Sequence, residues 1–426
     1  MTVLTKNFRD IELRIAKLNL PQGDWATEAR TDALKRLRSV GMPERRDEYW
    51  RFTRPDVFNL SGTPPATVSA MEKEIVFSQV DALQIVFDDG IFNAKESDTL
   101  ALEYVSIDRL AESSSDTHWA KSLYGQLESN GQKPVPRPLG SLNTAFATDG
   151  ILVLVKGSTP KPINIIYNQK EETSDVTLHH VVRLEAGAEL TILESGPAAA
   201  RLNNVIEVDV ADGAVFHHIR TQNNTKDNHV ATHIFARLGN ASTFKSFTLT
   251  INGKLTRNEC LIEITGDDAV AHVAGACIGD GNFHQDDTVF ITHDAKGCES
   301  RQVFKKVLRN GAVGVFQGKI LVKAGAQKTD GYQISQSLLL DGDSQFLAKP
   351  ELEIYADDVI CSHGSTSGAI DEDALFYLRS RGISEYVATN LLTLAFLAEA
   401  MDEIEDEDLR EMLTRQLEGW LERHRG

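Results

Sequence analysis

Cysteine is scarce: four residues in 426, at positions 260, 277, 298 and 361, with no CxxC among them. That spacing supports neither a zinc knuckle nor a local ferredoxin-type cluster loop, and the thiols are expected to be reduced and mostly packed. Positive charge is in deficit, 44 Lys and Arg against 62 Asp and Glu, for a net charge of -18. Nucleic acid and anionic membranes are polyanions, so neither suits this chain as its main partner. Long apolar runs are missing too. The most apolar helix-like segment, Leu391 to Met401, is too short to span a bilayer. The opening "MTVLTKNFRDIELRIAKL" lacks the apolar core of a signal peptide, and a cytoplasmic location is expected. No G-x-x-x-x-G-K-[ST] occurs: "GAVGVFQGKI" has the wrong spacing and no hydroxyl after Lys319, so ATP binding by a P-loop is excluded. G-x-S-x-G and H-E-x-x-H are absent as well.

What is present is an ordinary globular composition, 41% apolar and 25% charged, in a chain long enough for two or three structural units. The first third reads as helical. From Asp24 to Val40 an apolar face of Trp25, Ala29, Ala33, Leu34 and Leu37 leads to Gly41, a helix stop. "IVFDDGIFNAKES" (85–97) reads as strand, turn, strand, and the three prolines of "SNGQKPVPRPLGS" (129–141) read as a linker or extended crossing.

Beyond about residue 150, short β-branched strands alternate with glycine-acidic turns. Gly187, Gly213, Gly239 and Gly266 are separated by 26, 26 and 27 residues (213−187, 239−213, 266−239). Short strands at such a period indicate a solenoid, each rung burying its inner face only against its neighbours. A parallel β-helix fits better than an antiparallel sandwich, whose turns fall closer together. After Ser362 the strands are expected to stop and three helices to follow. Asp371 is placed as an N-cap, with Arg379 and Arg381 before the stop at Gly382. Ser384 caps the next helix, with Val387, Leu391, Leu394, Ala398 and Met401 as its apolar face. Leu409, Met412, Leu413, Leu417, Trp420 and Leu421 line the last. The expected organisation is mainly β: an N-terminal helical region with short strands (1–145), a parallel β-helix (146–360), and a helical C-terminal domain (361–426).

Few residues point to chemistry. "CIGDGNFH" (277–284) lies among the repeats with no helix after it and reads as a turn. His179-His180 and His217-His218 are adjacent on strands, so the members of each pair face opposite ways and neither pair is a ligand set. His229, His233, His272, His284 and His293 form a metal site only if the rungs bring them together. Cys361 and His363, at i and i+2, share a strand face. They read either as two ligands of an incomplete metal shell, as a thiol activated by an imidazole, or as a packed thiol beside a histidine bonded to a turn carbonyl.

"LEIYADDVICSHGSTSGAIDEDALFYLRSRGIS" (352–384) closely resembles the C-terminal signature of the SufB/SufD family of iron-sulfur cluster assembly proteins. "GMPERRDEYWRFT" (41–53) is similar to the N-terminal segment of the SufD-type members, and "LNTAFATDGILVLV" (142–155) to the beginning of that family's β-helix. The length and Leu378, where SufB-type chains carry a functional cysteine, also place the resemblance on the SufD side.

The resemblance implies a right-handed parallel β-helix flanked by N-terminal and C-terminal helical regions, and a non-enzymatic scaffold role. It implies pairing with SufB through the β-helix and docking of the ATPase SufC on the C-terminal helices, through Asp371, Leu375, Phe376, Tyr377, Arg379, Arg381 and Gly382. It places His363, and less firmly Cys361, at the SufB interface. No cofactor is held permanently, and iron or a nascent cluster is shared transiently with SufB. Two other classes carry different marks. A β-helix lyase would carry an export signal, and an acyltransferase a hexapeptide repeat. A self-contained homodimeric iron protein would bind iron by itself.

Overall fold

The computed structural model describes residues 8–21, 25–68, 76–113, 119–223 and 225–423. Asp24, the expected helix start, lies outside them, and the helix runs Thr27–Val40, stopped by Gly41 at φ +80°.

Successive strands alternate between two ten-stranded sheets, and the pairs that form the body are parallel. The result is a parallel β-solenoid of about seven turns. Register pairs His229 with Leu255, Leu255 with His284, His284 with Val313 and Val313 with Gln345. One turn therefore takes 26, 29, 29 and 32 residues (255−229, 284−255, 313−284, 345−313), so the sequence period lengthens toward the C-terminal end.

The periodic glycines serve two different needs. Gly187 and Gly213 adopt φ +70° and +66°, a region that L side chains rarely enter. Gly239 and Gly266 sit where stacked backbone comes too close: a Cβ on Gly266 would lie 2.0 Å from Asn240 N. In those turns Ala241 and Asp268 take the positive φ instead.

Between the sheets lies an apolar core of alternating inward residues, among them Ile151, Ile165, Val182, Leu190, Phe216, Ile234, Phe244, Ile262 and Phe316. The beginning of the solenoid is closed by antiparallel strands. Leu83–Asp88 turns at Asp89 and Gly90, both at positive φ, into Ile91–Phe92, and pairs in parallel with Ile163–Asn168. Ala101–Leu102 and Val105–Arg109 close the other sheet against Ile151–Val155. Strands from before residue 146 thus belong to the solenoid.

The proline-rich run is partly helical. Pro138 occupies the first turn of a wholly buried helix, Pro138–Phe146, a position where its missing N–H removes no bond. Asn143 of this helix donates from Nδ2 to the carbonyls of Leu178 and Asn203, which tethers it to the outside of one sheet. Tyr49, Trp50 and Thr53 cover later strands of the same face.

The outer face of the other sheet carries the C-terminal helices Glu372–Ser380, Glu385–Met401 and Glu407–Arg423. Asp371 Oδ1 accepts from Ala374 N–H at 2.9 Å and Ser384 Oγ from Val387 N–H at 3.4 Å, as expected of N-caps. The last helix buries Leu409, Leu413, Leu417, Trp420 and Leu421. The middle helix differs from expectation. It buries Ala388, Thr393, Leu397, Ala400 and Met401, while Val387 and Leu391 remain 45% exposed. This helix is apolar around most of its girth, so periodicity does not select a face; its small residues allow the close approach to the sheet. The strands do not stop at Ser362: the last one, Ile360–Gly368, continues because it pairs with the preceding rung throughout, with Ser365 and Ser367 bonded to Ser335 and Ser337, and the first C-terminal helix begins at Glu372.

Candidate functional site

The last strand pairs in parallel with Asp330–Leu339, in a register that sets Cys361 against Gly331, His363 against Gln333, Ser365 against Ser335 and Ser367 against Ser337. Gln333, Ser335 and Ser337 are buried, and Gln333 donates to Gln302 Oε1 of the preceding rung at 2.9 Å. The odd-numbered residues therefore point between the sheets. Hydroxyl ladders continue that row outward, with Ser335 to Ser365 at 3.0 Å and Ser337 to Ser367 at 2.9 Å. His363 is thus an inward-row residue of the final rung. It is nevertheless exposed, because no further rung covers it.

Cys361 is half-buried and packs against the small apolar cluster of Ile320, Val322, Ala326 and Ala356. Its Sγ occupies the space beside Gly331, 3.2 Å from where a Cβ would stand there. Burial pushes its thiol pKa up, with Asp330 adding to the rise, the opposite direction from an activated thiol. Of the three readings of this pair, the activated thiol has the least support. Two potential donors then share one face at an open rung. No group of three or more His, Cys, Asp or Glu side chains able to hold a metal occurs among the described residues. The pair leaves a shell that a neighbouring molecule would have to complete.

Among the described residues, no three of the remaining histidines gather into a metal-ligating group. His179 bonds Glu207 at 2.9 Å on the outer face, while His180 accepts from Ile151 N–H and contacts Tyr167 Oη on the inner one. His217 lies 3.8 Å from Glu405, and His218 is 2.7 Å from Glu194. His233 stacks on Phe235, His284 meets Thr53, and His293 meets Ser300. Cys260, Cys277 and Cys298 are buried and unlinked, and burial pushes the first two to about 12.

The seven residues proposed for ATPase docking lie on or beside one helix, Glu372–Ser380, which buries none of its residues. Asp371 caps it, Phe376 and Tyr377 are 73% and 58% exposed, Arg379 pairs with Glu385, Arg381 stacks on Tyr377, and Gly382 ends it at φ +84°. Leu375 is partly buried. Val387 and Leu391 of the next helix are exposed as well, at 45% each.

Two features escaped sequence reasoning. The first is a polar thread through the core. Tyr167 donates to Glu194 at 2.6 Å, Arg220 to Glu194 at 2.7 Å and to Thr232 at 2.9 Å, and Thr232 to Asn258 at 2.8 Å. Asn258 then donates to Asp287 at 3.2 Å, and Asp287 accepts from Lys306 at 2.5 Å. Burial pushes Glu194 up, but Arg220 and His218 outweigh it and hold its carboxyl well below the usual range. The second is an ionic clasp. His217, Lys245, His272 and Arg301 stack on successive rungs. Over them lies the acidic link between the last two helices, with Glu403 2.9 Å from His272 and Glu405 paired with Lys245. Charged residues in strand repeats were its only sequence trace.

Residues 166–396 match the family model "SUF system FeS cluster assembly, SufBD core domain". The chain belongs to the SufBD family of iron-sulfur cluster assembly proteins. It is similar to the iron-sulfur cluster assembly protein SufD of Escherichia coli, 27% identical over 402 residues and 89% of each chain. It is also similar to a SufBD family protein of Synechocystis, 30% identical over 408 residues, covering 88% of this chain and 86% of that one. Bacillus subtilis SufD is 25% identical over 299 residues, 68% of each. No helix among the described residues is long and apolar enough to cross a membrane.

Proposed function

We propose that this chain is a non-catalytic scaffold subunit of an iron-sulfur cluster assembly complex. It pairs with SufB through the open end of the solenoid and holds one SufC ATPase on its C-terminal helices. The observation that carries this reading is the asymmetry of the two ends. The first rung is closed by antiparallel hairpins, whereas the last leaves Gln345–Ile354 and Ile360–Gly368 as free strand edges, with His363 on the inward row. Unpaired edges of this kind invite another chain. Iron or a nascent cluster is the cargo at that junction: His363 supplies a nitrogen ligand, Cys361 a sulfur once deprotonated, and SufB the rest.

The exposed side chains of Phe376, Tyr377, Val387 and Leu391 support a partner on the helical unit. Light scattering of the chain co-expressed with its own organism's SufB and SufC tests both contacts. The full-length chain should form a complex, and truncation after Gly368 should remove one SufC. Absence of any complex would overturn the scaffold reading. A self-paired chain that binds iron stoichiometrically in anaerobic titration would then replace it.

A further inference from the structure

On the outer face of the sheet containing Leu255–Ile264, a cleft of about 390 Å³ opens between the segment Asp47–Trp50 and the strap Pro134–Pro138. Ligand pockets usually measure about 300–1,000 Å³, so the space suits a small organic molecule. Arg137 and Arg257 both line it, although they are only 4% and 2% exposed.

Their donors are only partly used. Arg257 gives Nε to Glu259 at 2.6 Å and Nη1 to Asp286. Arg137 gives Nη1 to the carbonyls of Gly131 and Val135, at 2.9 and 2.7 Å, and its Nε lies 3.1 Å from Glu259. On each guanidinium Nη2 is left without a hydrogen-bond partner among the described residues. Stacking prevents either from turning away: Arg137 lies 4.6 Å over Phe290 and Arg257 4.1 Å over Trp50.

Charge at the base is balanced, Arg137 and Arg257 against Glu259 and Asp286, but unevenly shared. Glu259 serves both arginines, and Arg257 also has Asp286. Burial accordingly wins at Arg137 and depresses it to about 10, whereas Arg257 is raised. Glu259 is thus the one carboxylate beside Arg137 and is shared with Arg257, while the lining carboxylates Asp47 and Glu48 are engaged by Glu44 N–H and Lys349. A dianion would meet repulsion from Glu259 and Asp286, so a single charge fits better than a phosphate. Trp50, Tyr49, Pro134 and Pro136 supply flat and apolar walls for a ring.

We propose that this cleft binds an aromatic carboxylate, its carboxylate taking the two free Nη2 groups and its ring lying among Trp50, Tyr49 and the prolines. The proposal does not rest on the scaffold reading, although Tyr49 and Glu48 tie the cleft wall to Glu351 and Lys349 of the last rung.

The test is calorimetric titration of the full-length chain with 2-naphthoate, its uncharged analogue 2-naphthamide, and inorganic phosphate. Naphthoate should bind saturably at one site, and naphthamide roughly 10-fold more weakly or worse, as expected for loss of a charge-assisted bidentate contact. Arg137→Gln should weaken naphthoate binding similarly. Val40→Trp, which fills the mouth and removes no charge, should abolish it with an unchanged circular-dichroism melt; this variant carries the test if Arg137→Gln does not fold. No saturable naphthoate binding, equal affinity for naphthamide, or unaltered binding in Val40→Trp would each overturn the proposal. So would phosphate binding as tightly as naphthoate.

Discussion

Buried charge inside the solenoid is held in place by its partners. Glu194 accepts from Tyr167, Arg220 and His218 inside the solenoid. Replacing it by Ala would strand Arg220, and unpairing a buried ion typically costs about 3–5 kcal/mol. Glu194→Ala should therefore lower the urea midpoint sharply, while an exposed control such as Glu411→Ala should not shift it measurably.

The buried histidines set a pH window of their own. Burial depresses His180 and His233 to about 4 from an ordinary 6.5. The unfolded chain then binds protons more readily than the folded one, so folding is favoured fully above about 6.5 and progressively less down to about 4. Each contributes on the order of 3 kcal/mol across that window. The depressed carboxyls Glu194 and Glu259 act in the same direction but only below the ordinary carboxylate range. Urea midpoints at pH 7.5, 5.5 and 4.5 should fall in that order, and His233→Gln should shrink the first drop.

At the scale of elements, the C-terminal helices differ in how they are held. The last two are anchored by Leu397, Leu413, Leu417 and Trp420 and by the clasp of Lys245, His272 and Lys305 with Glu405, Glu403 and Glu399. Hydrogen bonding to His272 holds Glu403 low and Lys245 does the same for Glu405. Their contribution persists above the ordinary carboxylate range and disappears as pH falls through the lowered values. Partly exposed pairs are worth little singly, about 0.2–1 kcal/mol. The double variant Glu403→Gln, Glu405→Gln should thus speed hydrogen exchange in Glu385–Met401 several-fold while leaving the solenoid strands unchanged.

The helix Glu372–Ser380 has no such anchor, and its Asp371 cap matters more. Asp371→Ala should remove about 1 kcal/mol of local stability. It should be read as faster exchange within that helix alone, and partner binding should restore protection.

For the molecule as a whole, the open rung is the feature that needs an explanation. Free strand edges on a long solenoid are an aggregation hazard unless another chain covers them. Ile354 and Ile360 stand exposed there, at 39% and 73%. Charged replacements, Ile354→Lys with Ile360→Lys, should leave the thermal midpoint of the isolated chain almost unaltered and prevent its joining the co-expressed complex. His363→Ala should leave assembly intact and reduce cluster yield; an unchanged yield would sink the ligand role but not the scaffold.

Much of the fold was legible in one dimension because its causes are local or periodic. Turn glycines at 26-residue intervals, β-branched strands, and the caps Asp371 and Ser384 are each dictated by backbone sterics or by a bond a few residues away. The same holds for the shared face of Cys361 and His363, which follows from strand alternation. Other features depended on which rungs stack on which. Only the register puts His363 above Gln333, threads Tyr167 to Lys306 through the core, and stacks His217, Lys245, His272 and Arg301 under an acidic link. Only packing chose Ala388 over Val387 as the buried face of a helix apolar nearly all round. And only the folded chain brought Arg137 beside Arg257, because a pairing 120 residues apart (257−137) leaves no trace in either neighbourhood.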